Sequence, residues 1–295
     1  TMSLFSVTSC DSGAAGPRLV ITAGVHGDEF ESIECVHQLL DWVPANLRSG
    51  TVVLVPVINE AAFLLGQRMG GDGLDLARTC PGNPEGSLTE RVASELTELI
   101  CSADYYIDMH TGGTRLAVFP LAGYPLNPNE QALAGSRAMA QAFNLPFVWG
   151  TDWRLKGRSM SIACENNIPA IYTEYLGSAQ CSQAGVTAYV DGCKNVMGML
   201  GMIERQQPAS RIKFTIEDAA EGSGHMQICN PAPLDGVLSS CFQLGDQVST
   251  GDVLGRVRSM DGSEIVEIVA QQTGRIIVMQ TFPMVRKGEA TFVIA

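Results

Sequence analysis

An imidazole and a carboxylate, two groups able to grip one cation, stand three positions apart in Gly24-Val25-His26-Gly27-Asp28-Glu29. The apolar run at 19–23 before them reads as a buried strand, and residues 30–40 after them repeat apolar side chains at helical spacing. His26 and Glu29 therefore sit in a strand-to-helix loop, where open α/β sheets place ligands. Residues 105–109 read as a second strand, with His110 at its C-terminal end before Thr111-Gly112-Gly113. Parallel strands share one C-terminal edge, so His26, Glu29 and His110 are expected to converge on one zinc ion per chain. Two His and one Glu leave a fourth zinc position open, the pattern of catalytic rather than structural sites. The competing reading is a surface loop at His26 and a core histidine at 110. Against it, the chain has only 4 histidines, and two fall at strand ends flanked by glycine and acid. His37, inside the predicted helix, and His225, in a Gly-Ser stretch, read as non-ligands.

Hydrolysis by water at such a centre needs a base to take the proton of the attacking water. Glu174 ends a predicted strand at 170–174 and so falls on the same sheet edge; a solvated strand-end carboxylate is the alternative. Arg68 precedes the glycine-rich turn 70–73, and Arg78 follows Asp75 in Gly73-Leu74-Asp75-Leu76-Ala77-Arg78-Thr79-Cys80-Pro81-Gly82. By residue type alone, Arg68 is equally a surface charge and Arg78 a salt-bridge partner of Asp75.

Four segments in order carry more information than any one of them. They are 24–29, 73–82, Asp108-Met109-His110-Thr111-Gly112-Gly113, and Ile168-Pro169-Ala170-Ile171-Tyr172-Thr173-Glu174-Tyr175-Leu176-Gly177. Together they resemble the succinylglutamate desuccinylase/aspartoacylase family, a branch of the zinc carboxypeptidase-like hydrolases. The Gly-Gly after His110 is most similar to the bacterial N-acetyl-diaminobutyrate-type deacylases. The resemblance implies that Glu174 is the catalytic base, that Arg68 polarises the scissile carbonyl, and that Arg78 grips a substrate carboxylate with Asp75 orienting it. Ala77 and Cys80 depart from the family's usual Asn and Phe. The Asn helps hold the substrate carboxylate, and losing such a bond to a charged group costs roughly 1.5–3 kcal/mol. The departure bears on the substrate more than on the reaction. Arg115 and Lys156 are further cations near motif loops and receive no role. Asp108 is a weaker candidate for buttressing His110.

The elements that must position these groups alternate. Strands are expected at 19–23, 51–58, 105–109, 116–119 and 170–174, and helices at 30–40, 88–100, 130–143, 159–166 and 183–204. Such alternation predicts an α/β fold, a zinc-carboxypeptidase-like mixed sheet with helices on both faces. After Gln206-Gln207-Pro208 the chain turns to short β-like runs punctuated by Gly-Asp pairs. This divides it into a catalytic domain at 1–207 and a small all-β, biotinyl/lipoyl-like domain at 208–295. The candidate hairpin tip Ser259-Met260-Asp261-Gly262 holds no lysine, which argues against a cofactor-carrying arm.

Composition narrows the remaining classes. The 295 residues are 45% hydrophobic with mean hydropathy +0.11, enough for an ordinary core. A net charge of −12 argues against a nucleic-acid partner. The 9 cysteines, an odd number with no Cys-x-x-Cys, point to reduced thiols and a cytoplasmic protein. No signal peptide and no membrane partner are expected. A Gly-x-Ser-x-Gly serine-hydrolase elbow does not occur. The sequence thus predicts a zinc-dependent hydrolase acting on the amide of a small N-acyl amino acid. A carboxypeptidase-like peptidase and a non-catalytic binding relative are the alternatives. The acyl group, the amino acid, the native metal and homo-oligomerisation are left open.

Overall fold

Leu19, Val20 and Ile21 have no exposed surface, and neither have Tyr106, Ile107 and Met109. Such unbroken apolar runs are sequestered on both faces, as parallel strands require. The computed structural model, which describes residues 3–226 and 229–295, shows how. The first part of the chain forms β1 (Thr8–Asp11), β2 (Arg18–Thr22), α1 (Phe30–Asn46), β3 (Thr51–Val55), α2 (Glu60–Leu65), α3 (Leu88–Cys101), β4 (Tyr105–Met109) and β5 (Leu116–Pro125). It continues through α4 (Glu130–Phe143), β6 (Phe147–Thr151), α5 (Ser159–Glu165), β7 (Ala170–Gly177) and α6 (Gln183–Met199).

Strands β3, β2, β4 and β7 lie side by side and parallel, with β1 antiparallel on the outer edge and β5 antiparallel beyond β7. Side chains alternate between two cores, as a period of two demands. Leu19, Ile21, Ile107 and Met109 pack with Val36, Leu39, Phe143 and Tyr189 from α1, α4 and α6. Val20 and Tyr106 pack on the other face with Val92, Leu96, Ile162 and Ala163 from α3 and α5.

The expected mixed sheet with helices on both faces is therefore present, with differences at element ends. Helix α1 runs on to Asn46 because Pro44 falls in its last turn. Helix α6 stops at Met199, where the left-handed Gly201 lets Met202 N–H turn back to the Met197 carbonyl. Strands β1 and β6 and helix α2 have no counterpart in the sequence expectation. Strand β6 contains Gly150 and becomes a strand by pairing with β5 on one side and β8 (Phe214–Glu217) on the other.

The additional β region at the C-terminal end comprises β9 (Gly236–Ser240), β10 (Gln247–Val248), β11 (Val253–Ser259), β12 (Ile265–Val269), β13 (Gly274–Gln280), β14 (Met284–Val285) and β15 (Phe292–Ile294). Strands β12, β11, β9 and β14 form a separate four-stranded sheet. Strand β13 instead extends the large sheet antiparallel to β5, with Met279 opposite Ala117, and carries β10 and β15. This seam holds the C-terminal β region against the first part of the chain.

The loop from β2 to α1 is wedged tightly. A Cβ on Gly27 would lie 2.0 Å from the backbone carbon of Ala62 in α2, and Gly27 N–H donates to the Gln67 carbonyl at 3.0 Å. Backbone cannot yield as a flexible side chain does, so Gly27→Ala is expected to destabilise the protein by about 1–3 kcal/mol. Denaturant unfolding of the metal-free protein checks this; unchanged stability would show that α2 is free to move away.

Candidate active site

The parallel register sets the site. Thr22 in β2 pairs with Asp108 in β4, and Met109 pairs with Thr173 in β7. The His110 N–H then donates to the Thr173 carbonyl at 2.8 Å, which places Glu174 beside His110. The loop leaving β2 delivers His26 and Glu29 to the same edge. Metal-ligating atoms of His26, Glu29 and His110 all lie within 4.8 Å of one another, and all three residues are buried.

The orientation of the rings is specific. Nδ1 of His26 faces Glu29 Oε1 at 2.7 Å, and Nδ1 of His110 faces Glu29 Oε2 at 3.0 Å. The far nitrogens meet other carboxylates: His26 Nε2 is 3.1 Å from Asp75 Oδ1, and His110 Nε2 is 3.1 Å from Asp108 Oδ2. Imidazoles backed in this way by a carboxylate are fixed in tautomer and made more basic, as metal-ligating histidines are. Asp108 is itself held by the Thr22 hydroxyl at 2.9 Å and by the Ser159 hydroxyl, and the Tyr189 hydroxyl donates to the His110 carbonyl. This donor set, one carboxylate between two inward Nδ1 atoms, fits a divalent zinc ion.

Electrostatics follow the geometry. Burial opposes the charge of Glu29, yet His26 and His110 hold its carboxyl well below the usual range. Asp75 is likewise depressed against burial, by His26 and Arg68. Burial pulls His110 down, but Asp108 and Glu29 outweigh it and raise its pKa. Glu174 goes the other way. Burial pushes it well up; the charge of His110 opposes this and Glu29 adds to it. Its Oε2 is sealed from solvent with no hydrogen-bond partner.

These groups open onto one cavity of about 360 Å³, whose wall includes His26, Glu29, His110, Glu174, Arg68 and Arg78. Six of the seven site residues expected from the sequence thus share one space. The seventh, Asp75, stands behind it. The expected partner of Asp75 is Arg78, but its carboxylate is engaged by His26 and by Arg68, at 3.1 Å from Nε and 2.9 Å from Nη2. Arg68 Nη1 in turn lies 3.4 Å from His26 Nδ1, at the inner side of the ligand set. His37 is half-exposed beside Glu34, away from the cluster. Arg115 reaches the cavity wall but pairs with Glu289 at 2.9 Å, and Lys156 pairs with Glu165 on the surface.

Arg158 is the residue that sequence reasoning missed. It lines the cavity beside Ala77 and Arg78, half-buried, with Nε sealed and unpartnered. Burial lowers its pKa, Tyr172 and Asp75 raise it, and Arg68 lowers it again. Desolvation and then the Arg158 charge also lower Arg78. Two guanidiniums are thus held close together at the cavity wall. Nothing local marks Arg158, which precedes a seven-residue helix; its position ahead of the Glu174 strand is the one available signal.

With this geometry in view, comparison with known proteins is decisive. Residues 15–197 match the succinylglutamate desuccinylase/aspartoacylase catalytic domain. The chain belongs to the succinylglutamate desuccinylase/aspartoacylase family. It is 30% identical over 291 residues to the N-alpha-acetyl-L-2,4-diaminobutyric acid deacetylase of Halomonas elongata, covering 95% of this chain and 82% of that one. A product-bound structure of the ectoine utilization protein EutE (DoeB) from Ruegeria pomeroyi superposes with TM-score 0.89 at 26% identity, over 98% of this chain and 87% of that one. A succinylglutamate desuccinylase from Silicibacter shares the fold, with TM-score 0.88 at 24% identity, over 98% and 88%. Membership of this deacylase family makes amide-bond hydrolysis the reaction class. Among the described residues no helix is long and apolar enough to cross a membrane.

The raised pKa of Glu174 has a sign that can be checked on metal-free protein. A carboxyl whose folded pKa lies above its unfolded value of about 4.3 contributes fully below that pH and loses its contribution as pH rises through the folded pKa. Metal-free Glu174→Gln is therefore expected to melt above the wild type near neutral pH, with the difference fading toward about pH 4. An equal or lower melting temperature at neutral pH would show that Glu174 is well solvated.

Proposed function

We propose that this protein is a zinc-dependent amidohydrolase that removes the acyl group from a small N-acyl amino acid. The observation that carries the reading is the shared cavity. Two imidazoles and a carboxylate, a buried carboxylate oxygen without a partner, and four arginines, one of them paired with Glu289, line one space of about 360 Å³. That volume suits a small molecule rather than a folded partner. The deacetylase relative from Halomonas elongata acts, by its name, on an N-acetylated diamino acid, which supports an N-acyl amino acid here.

When held by His26, Glu29 and His110, zinc supplies Lewis-acid polarisation of water and of a carbonyl oxygen. Glu174 takes a proton from the attacking water and hands it to the departing nitrogen. Its upward pKa shift, caused by burial, strengthens it as a proton acceptor relative to an ordinary carboxylate. Arg68, aimed at the inner side of the ligand set and anchored by Asp75, donates to the carbonyl oxygen as negative charge grows there. Asp75 orients His26 and Arg68 together. Arg78 and Arg158 bind the carboxylate of the amino acid, planar guanidiniums matching its two oxygens. Arg158 thereby supplies the donors that Ala77 does not.

Residues 1–207 carry the catalytic groups in this reading. The β-domain at 208–295 walls the mouth, supported by Gln280 and residues 289–293 on the cavity lining. A cytoplasmic setting is supported by nine free cysteines.

Purified zinc-loaded protein should hydrolyse N-acetyl amino acids in preference to short peptides. Glu174→Gln should keep its zinc and lose about 10²–10⁴ in kcat. Full rate in that variant would remove Glu174 from the chemistry, and preference for peptides would favour a peptidase.

A further inference from the structure

Glu174 is not the only polar side chain that β7 sends into the cavity. Tyr172 lines it too, two residues earlier, so both side chains leave the sheet on the same face. Register separates their reach. Glu174 lies opposite Leu121 of β5, and Tyr172 lies opposite Gly123. A Cβ on Gly123 would overlap Cζ of Tyr172 and lie 2.5 Å from its hydroxyl oxygen. The phenol therefore crosses from β7 and rests on bare backbone of β5, where only glycine leaves room for it. The next strand, β6, pairs with β5 and ends at Thr151, which lines the same cavity.

The charges around the two groups differ. Glu174 feels His110 and Glu29 of the ligand set, whereas the charged neighbours of the phenol are Glu174 and Arg158. Burial and then the charge of Glu174 push the phenol up, against the Arg158 charge and a hydrogen bond from the Thr151 side chain. The hydroxyl thus keeps its proton. Among the described residues it meets no carboxylate or carbonyl oxygen that accepts that proton. Arg158, at the same wall, enters no ion pair among the described residues, and its Nε is sealed without a partner. A phenylalanine would fill the space on Gly123 equally well, and a buried donor left without an acceptor costs stability. Two neighbouring donors, one of them cationic, together lack an anionic acceptor.

We propose that Tyr172 is a substrate-binding residue whose phenol donates a hydrogen bond to the carboxylate that Arg158 pairs with. Because Tyr172 and Glu174 share one strand, this bond fixes the distance from the substrate carboxylate to the base. The inference deepens the proposed function and rests on it for the identity of the ligand, but the binding it predicts is measured without turnover.

The probes are 2,4-diaminobutyrate, the amino acid in the name of the Halomonas elongata relative, and its carboxamide, which lacks the negative charge. Calorimetry on zinc-loaded wild type should show tighter binding of the acid. In Tyr172→Phe, which keeps the ring on Gly123, the ratio of the two affinities should fall about 5- to 10-fold, because a hydrogen bond to a charged acceptor is worth more than one to a neutral acceptor. An unchanged ratio, with both ligands weakened equally or neither weakened, would mark Tyr172 as structural and overturn the proposal. Failure of the wild type to prefer the acid would overturn the carboxylate subsite itself. A crystal structure of the wild type with 2,4-diaminobutyrate needs no variant. The phenol oxygen should lie within about 3 Å of a carboxylate oxygen, and a carboxylate bound beyond hydrogen-bond reach of it would overturn the assignment. Absence of hydrolysis of N-α-acetyl-2,4-diaminobutyrate would count against the deacylase reading for that compound, while the calorimetric ratio would still decide Tyr172.

Discussion

The parallel pairing of β2, β4 and β7 is the constraint on which everything else depends. It brings together the loop after β2, the residue that follows β4 and Glu174 within β7, the positions proposed to do the chemistry. Thr22 opposite Asp108 and Met109 opposite Thr173 fix the heights at which His26, His110 and Glu174 emerge. A one-residue slip in either pair would turn alternate side chains to the opposite face and scatter the set. The two apolar cores make such a slip costly, because Leu19, Ile21, Ile107 and Met109 would exchange faces with Val20 and Tyr106. Register is thus enforced by burial far from the chemistry.

The edge so formed concentrates charge that a core would not tolerate. Glu29, Asp75 and Asp108 are each matched by an imidazole, a guanidinium or a hydroxyl, and so remain ionised despite burial. Glu174 is left without compensation on one oxygen, and its pKa rises accordingly. Neighbouring carboxylates are thus pushed in opposite directions by environment alone, which is consistent with the separate roles proposed for Glu29 and Glu174. The C-terminal β region adds lining without adding to this cluster: β13 is zipped onto β5 and carries β15, and residues 289–293 line the cavity.

Much of this was legible in the residues. Apolar runs that stop at glycine and histidine announced β2 and β4, and the four ordered motifs named residues that the fold brings to one cavity. What escaped depended on distance in space. Strand β6, with Gly150 inside it, acquires strand character from β5 and β8. Asp75 looked like a partner for Arg78 because they are three residues apart, yet the fold turns its carboxylate toward His26, 49 residues away. Arg158 reaches the wall near Ala77 through the loop before α5, a path with no local pattern. Tyr172 sat inside the fourth motif, but the reach of its phenol is visible only once Gly123 is placed beneath the ring.

The central claim is that His26, Glu29 and His110 hold one divalent ion. Zinc titration of metal-free protein, followed by elemental analysis of the dialysed complex, tests it most directly. One zinc per chain is predicted, with affinity abolished by alanine at any of the three positions and retained in His37→Ala. Tight stoichiometric zinc in a variant lacking any one of them, or no zinc in the wild type, would contradict the account.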